Sequence, residues 1–257
     1  MKNHEVYQFA GFSAEEIEKL KIERTFHESN PGASLFMFNS KIMQFQSSGS
    51  NLQNEETVEG VVINQARYRS NLFILLDNLP HAVDELHRKK IPDEIIITTL
   101  SDISLWYRYY LRELGVVGIP DDKIYWFNHH FAGKLFRLGR LQFELTAMNI
   151  PTALLHVGSP ILKVHVPEEG KLIGEQCDES FLQAERFFRD IYPFHYQAFM
   201  LESWFNTSEF LQILPKSSNI RQFAERFTPI EYIAEKSGEL YRRILGESAF
   251  HSGEVDY

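Results

Sequence analysis

The sequence predicts an α/β (α+β) chain in which a mainly helical first part precedes a mixed sheet flanked by helices. Apolar residues recur at helical spacing through the first half, and from Arg137 the period changes to the alternation of a strand. The later elements then run strand, strand, helix, strand, helix, strand, an order that belongs to a sheet with helical crossovers. The boundary expected near Pro120 divides the chain into a helical domain over residues 1–120 and an α/β domain over residues 121–257.

A first helix opens at Ser13-Ala-Glu-Glu16, a serine followed three residues later by a glutamate, which is the capping-box signature. Ile17 and Leu20 to Ile22 continue its apolar stripe. In residues 30–43 the pair Pro31-Gly32 makes a turn before Leu35-Phe-Met-Phe38, whereas residues 46–60 are rich in Ser, Asn and Glu, lack periodicity and read as an exposed loop. Helical spacing returns over residues 80–90. Pro92, at a first-turn position, opens a second helix that runs through Thr98, Ile103, Trp106, Tyr110 and Leu111 to a stop at Gly115. These two form a hairpin, and a further helix over residues 121–134 carries Trp126, Phe127 and His130.

From Arg137 an extended chain sets Leu138, Arg140, Gln142 and Glu144 on one side and Leu141, Phe143 and Leu145 on the other. Residues 161–166 form a β-branched strand ended by Pro167. A loop through Gly170 and Gly174 leads into a helix from Asp178 through Phe181, Ala184, Phe187 and Phe188. A strand over residues 196–205 sets Phe199 and Leu201 against Met200, Glu202 and Trp204. Helices over residues 207–214 and 219–227 precede a last strand near residues 229–233, and no internal repeat occurs.

Charge narrows the range of partners. The 26 Lys and Arg against 35 Asp and Glu give a formal charge of −9, which repels nucleic acid and anionic membrane, so a small-molecule substrate is expected. A homodimer stays open. The single cysteine, Cys177, forms no internal disulfide, and there is no secretory apolar segment. Apolar runs such as residues 72–76 fall far short of the roughly 20 residues that span a bilayer, so the expected location is cytoplasmic. No metal is expected: His81 and His87 are six apart, His129 and His130 are adjacent and point to different helix faces, and no His-Glu-x-x-His occurs.

Five ordered segments carry a resemblance. They are Arg137-Leu-Gly-Arg-Leu-Gln-Phe-Glu144, Val164-His-Val-Pro-Glu-Glu-Gly170, Cys177-Asp-Glu-Ser180 entering Phe187-Phe188, Glu202-Ser-Trp204 and Leu214-Pro-Lys-Ser-Ser-Asn-Ile-Arg-Gln-Phe223. In this order they resemble the motif series of a bacterial two-domain acyltransferase family, whose helical N-terminal domain precedes a GNAT-like (N-acetyltransferase-like) C-terminal domain. The match covers roughly residues 79–232. It implies direct transfer of an acyl group from acetyl-CoA or another acyl-CoA, without a metal, to an unidentified small-molecule or amine acceptor. It further implies two parallel strands that splay around acyl-CoA, with the pyrophosphate on amides at the start of the following helix. In that mapping Gly170, Lys171 and Gly174 line the loop that holds the co-substrate, and Asn219 lies near its thiol.

The residues themselves qualify this mapping. Helix-start amides favour phosphate oxygens, yet Glu168, Glu169, Glu175, Asp178 and Glu179 surround the single Lys171, and Asp178 also reads as a helix N-cap. Arg137 and Arg140 bracket Gly139, and their guanidinium forks suit an anion or a salt bridge between the domains. Direct transfer needs a base, an oxyanion donor and an acid for the thiolate. Glu144 and Glu202, on polar strand faces, and His165, between Val164 and Val166, are the candidates; each glutamate also reads as the partner of an arginine such as Arg140 or Arg137, and His165 as a hydrogen-bonded structural residue. Ser203 beside Trp204, or Cys177 at a helix start, offers a covalent nucleophile. Asn219 also reads as a helix cap. A non-catalytic binding protein of the GNAT fold and a Ser/Cys-dependent acyl hydrolase are therefore the alternatives.

Overall fold

Capping and helical burial account for the first part of the computed structural model, which describes residues 7–29 and 60–230. The chain falls into two compact units, one drawn from residues 1–88 and 96–133, the other from residues 89–95 and 134–257. The helices up to residue 131 are α1 (Ala14–Ser29), α2 (Gly60–Arg88), α3 (Asp93–Leu100), α4 (Asp102–Leu114) and α5 (Asp121–Phe131). The capping box closes as its spacing predicts: the Ser13 amide donates to Glu16 Oε2 at 2.7 Å and the Glu16 amide to Ser13 Oγ at 3.3 Å. Glu16 also accepts from Arg108 of α4, at 2.7 Å from Nε and 2.8 Å from Nη2.

Two helix boundaries differ from the sequence expectation. The helix expected to begin at Pro80 runs through it, as α2. An interior proline costs about 3 kcal/mol, but Leu72, Leu75, Leu79, Val83 and Leu86 are all 0% exposed. At about 1.5–3 kcal/mol for each buried aliphatic side chain, that burial outweighs the break. The helix expected over residues 92–115 is interrupted at Ser101, which separates α3 from α4, and Gly115 ends α4 in the left-handed conformation (φ 64°) as foreseen. Just beyond it, Gly118 (φ 151°) lies so close to α2 that a Cβ would sit 2.2 Å from the Tyr68 carbonyl carbon. The Ile119 amide donates to Tyr68 O at 2.9 Å, and Asn71 Nδ2 donates to Ile119 O at 2.9 Å and to Asp121 Oδ1 at 2.8 Å, which fixes the start of α5. His130 and Asp102 are buried together, His130 Nε2 lying 3.1 Å from Asp102 Oδ2. Among the described residues no group of three or more His, Cys, Asp or Glu could hold a metal, and no helix is long and apolar enough to cross a membrane.

The strand expected from Arg137 is two strands. β1 (Leu135–Leu138) and β2 (Leu141–Ala147) pair antiparallel, with Leu138 opposite Leu141 and Gly139-Arg140 as a two-residue turn. Gly139 has φ 67°, and a Cβ there would meet Ser180 Oγ at 2.7 Å. Such a turn reverses the parity of the alternation, so Leu138 lies on the apolar face with Leu141 and Phe143 rather than beside Gln142 and Glu144.

β3 (Pro160–His165) pairs antiparallel with β2. The chain then crosses through α6 (Gly174–Arg186), which widens into a π turn over Phe187–Ile191, and returns as β4 (Phe199–Leu201) parallel to β3. The sheet order is β1-β2-β3-β4, the mixed sheet with a parallel pair that the resemblance implies. α6 begins at Gly174, so Asp178 lies inside it and is not its N-cap. The last helices are α7 (Ser208–Ile213) and α8 (Asn219–Ala224). Residues 229 and 230 form no strand. The rest of the strand expected near residues 229–233, the turn over residues 30–43 and almost all of the loop over residues 46–60 lie outside the described residues, and Gly60 itself opens α2.

One sheet face is apolar and covered by α6. Phe136 lies 4.8 Å from Phe187, Phe143 lies 5.7 Å from both Phe181 and Phe199, and Phe181 lies 4.9 Å from Phe199, ring centre to ring centre. Edge-on and tilted arrangements of this kind add to the burial itself. The opposite face carries the polar side chains.

Candidate functional site

The polar face is assembled by strand register. Arg137 of β1 stands opposite Gln142 of β2, which stands opposite His165 of β3; one row along, Glu144 stands opposite Lys163, and Lys163 opposite Met200 of β4. His165 Nε2 lies 2.8 Å from Glu144 Oε2 across the diagonal. The two side chains are 20% and 12% exposed, so water screens the pair only partly. Because an ionised carboxylate only accepts hydrogen bonds, Nε2 carries the proton and Nδ1 is the basic nitrogen of this tautomer. Glu144 thus pairs with a histidine.

Glu202 is engaged differently. Lys163 Nζ donates to Glu202 Oε2 at 2.5 Å, and Glu202 is 49% exposed, so this pair lies near the surface. Ser203 follows β4 and its carbonyl accepts from the Asn206 amide at 3.1 Å. Cys177 is fully buried in α6, where burial pushes its thiol pKa up, the opposite of what thiolate nucleophilicity requires.

A second group of residues lies between β3 and α6. Arg140 donates from Nε to Lys171 O at 3.0 Å, from Nη2 to Gly170 O at 2.9 Å and from Nη1 to Pro167 O at 3.4 Å. Its amide donates to Ser180 Oγ at 2.8 Å, and that hydroxyl donates to Gln176 O at 2.8 Å. One guanidinium therefore clamps three carbonyls of the loop, and burial, aided by the charge of Arg137, lowers its pKa. Gly170 supplies the left-handed bend (φ 65°) that turns those carbonyls toward it.

The acidity of this loop is offset by arginines, two of them from distant parts of the chain. Arg137 pairs with Glu169, Arg226 with Asp178, and Arg186 lies 4.0 Å from Glu179. Arg226 Nη2 also donates to Gly174 O at 3.3 Å. α6 opens after Ile173 with no side chain capping it, leaving amides of its first turn facing the loop. Asn219 is the first residue of α8; the capping hydroxyl is that of Ser218, which accepts from the Arg221 amide at 3.5 Å.

The structure thus brings together His165, Glu144 and the Lys163–Glu202 pair on one sheet face, and Arg137, Arg140, Gly170, Lys171 and Gly174 around one loop. Sequence reasoning missed three contributors. Lys163 and Arg226 reach partners 39 and 48 residues away. Gln142 was legible as a polar-face residue, but its burial was not.

Residues 1–133 match an N-acyltransferase N-terminal domain, and residues 135–255 match a GNAT-like C-terminal domain. The chain is similar to the crystal structure of an acyltransferase in complex with decanoyl-CoA and teicoplanin, at 28% identity and a TM-score of 0.61, over 70% of this chain and 55% of that one. It is similar also to an acyltransferase mutant in complex with octanoyl-CoA, at 30% identity and a TM-score of 0.57, over 66% of this chain and 50% of that one. A third, an acyltransferase in complex with CoA and 10C-teicoplanin, is 28% identical with a TM-score of 0.58, over 74% of this chain and 56% of that one. The chain thus spans about half the length of the solved structures it matches. No curated protein matches the sequence.

Proposed function

The chain belongs to the family built from an N-acyltransferase N-terminal domain and a GNAT-like C-terminal domain, and we propose that it transfers an acyl group directly from acyl-CoA to a small-molecule amine. The Glu144–His165 pair at the end of β3 carries this reading, because it supplies an oriented base where the parallel pairing stops. Val164 and Leu201 are the last paired residues of β3 and β4. Beyond them each strand presents backbone groups that the other no longer satisfies, which suits the amide-rich pantetheine arm of an acyl-CoA lying between the strands.

In the reaction the acceptor nitrogen attacks the thioester carbonyl carbon, and the C–N bond forms as His165 Nδ1 takes the N–H proton. Glu144 fixes the imidazole tautomer and stabilises the imidazolium. The C–S bond then breaks, and the departing thiolate takes the proton that His165 holds. Gly170, Lys171, Gly174 and the first turn of α6 hold the pyrophosphate, with Arg140 shaping the loop and Arg137 and Arg226 offsetting its carboxylates. The octanoyl- and decanoyl-CoA bound by similar acyltransferases support a medium-length acyl chain over acetyl.

Calorimetric titration with acetyl-, octanoyl- and decanoyl-CoA tests the reading. Saturable binding that tightens with chain length is the expected result, and no binding up to millimolar concentration of any of the three overturns it. His165→Gln should retain that binding while thiol release in the presence of a reacting amine falls at least about 100-fold. A variant that retains transfer removes His165 from the role.

A further inference from the structure

Gln142 is 2% exposed, and its Nε2 has no hydrogen-bond partner among the described residues. A buried amide donor left unmade costs about 1–3 kcal/mol, more than most single contacts return, so its retention calls for a compensating partner. Its position limits what that partner is. Register places Gln142 directly opposite His165, with Arg137 on its other side and Glu144 two residues along the same strand and face. Directly opposed residues on neighbouring antiparallel strands hold their Cβ atoms about 4.5–5.5 Å apart. Arg137 turns instead to Glu169 and Gly139 O, and His165 to Glu144.

We propose that Gln142 is a substrate-binding residue whose Nε2 donates a hydrogen bond to an oxygen of the acyl acceptor, next to the nucleophile that His165 deprotonates. The sheet order decides between this role and that of oxyanion donor. The acyl-CoA lies where β3 and β4 part, whereas β2 lies on the other side of β3, one strand spacing of about 4.8 Å further from the thioester. Gln142 therefore faces the incoming acceptor. The acceptor class that follows is an amine bearing a hydroxyl or carbonyl oxygen close to its nitrogen. An amine with a methyl group in that place leaves the donor unmade. This inference rests on the acyltransferase reading above.

The test compares ethanolamine with n-propylamine, which differ by a hydroxyl in place of a methyl group, as acceptors from octanoyl-CoA, followed by thiol release. The native protein should favour ethanolamine by about tenfold in kcat/KM, the equivalent of one hydrogen bond. Gln142→Met should erase that preference by lowering the ethanolamine value while leaving propylamine within about twofold. A native protein without the preference, a Gln142→Met variant that loses both activities equally, or no transfer to either probe while octanoyl-CoA binds, overturns the inference. Failure of octanoyl-CoA to bind overturns the acyltransferase reading instead. In the free protein, Gln142→Met should melt at or above the native temperature, because it removes an unmade donor. A variant melting several degrees lower shows that the amide is bonded within the fold and also overturns the assignment.

Discussion

Side chains in this protein repay attention to what each donor already holds. Arg140 is the clearest case: a guanidinium flanked by a glycine looks in sequence like an anion fork, yet in the structure its donors reach the carbonyls of Pro167, Gly170 and Lys171. Under the proposed function, its effect on an acyl-CoA runs through the loop. Arg140→Ala should weaken octanoyl-CoA binding by about tenfold and lower the melting temperature as well, since three loop carbonyls lose a charged donor; calorimetry and a thermal melt read the two effects on one sample. Unchanged binding in a destabilised variant separates the clamp from the ligand. Glu144, Glu202 and His165 were recognisable in the sequence as polar residues of alternating strands. The pairing that makes Glu144 and His165 a unit was not, because it follows from the register between strands whose paired residues are 21 apart.

At the level of elements, local chemistry predicts well where it is short-ranged. The capping box at Ser13 and Glu16 is readable because both partners lie within one turn, and Ser13→Ala should cost about 1 kcal/mol, measured by denaturant unfolding. Glu16 does double service, and the Arg108 guanidinium, with the Ser13 groups, holds its carboxyl at about 2, below the usual 4.5. A folded-state pKa below the unfolded value means that this stability is complete above about pH 4.5 and is lost as pH falls toward 2. Glu16→Gln should flatten that part of the stability profile and cost about 1–2 kcal/mol at neutral pH, discounted for the partial exposure of Arg108. A variant with the native acid profile removes Glu16 from the acid response. Periodicity failed at the β1–β2 turn for a physical reason. Two residues suffice to reverse a strand, and the alternation of Leu138 and Leu141 passes across the turn with its parity exchanged. It failed at Pro80 because helix propensity is local, whereas the burial that overrides it is not.

Across the whole molecule, fold class was legible, because it is written in period and composition, and so was the run from strand through crossover helix to strand that became β3, α6 and β4. The electrostatic state of the β3–α6 loop was not. Five carboxylates around one lysine look hostile to a diphosphate, and only the folded chain brings Arg137, Arg186 and Arg226 to Glu169, Glu179 and Asp178. Binding should therefore be salt-sensitive but saturable, and octanoyl-CoA at 100 times its Kd should stabilise the protein by about 2.7 kcal/mol, read as a rise in melting temperature. One buried atom makes these measurements simple. The sole thiol of the chain is that of Cys177, enclosed in α6. A chromogenic disulfide reagent that reports free CoA should find the native protein silent, so turnover can be followed without a background correction. The same reagent, added without substrate, becomes a clock for the opening of α6, because the sulfur reacts only when that helix lifts from the sheet.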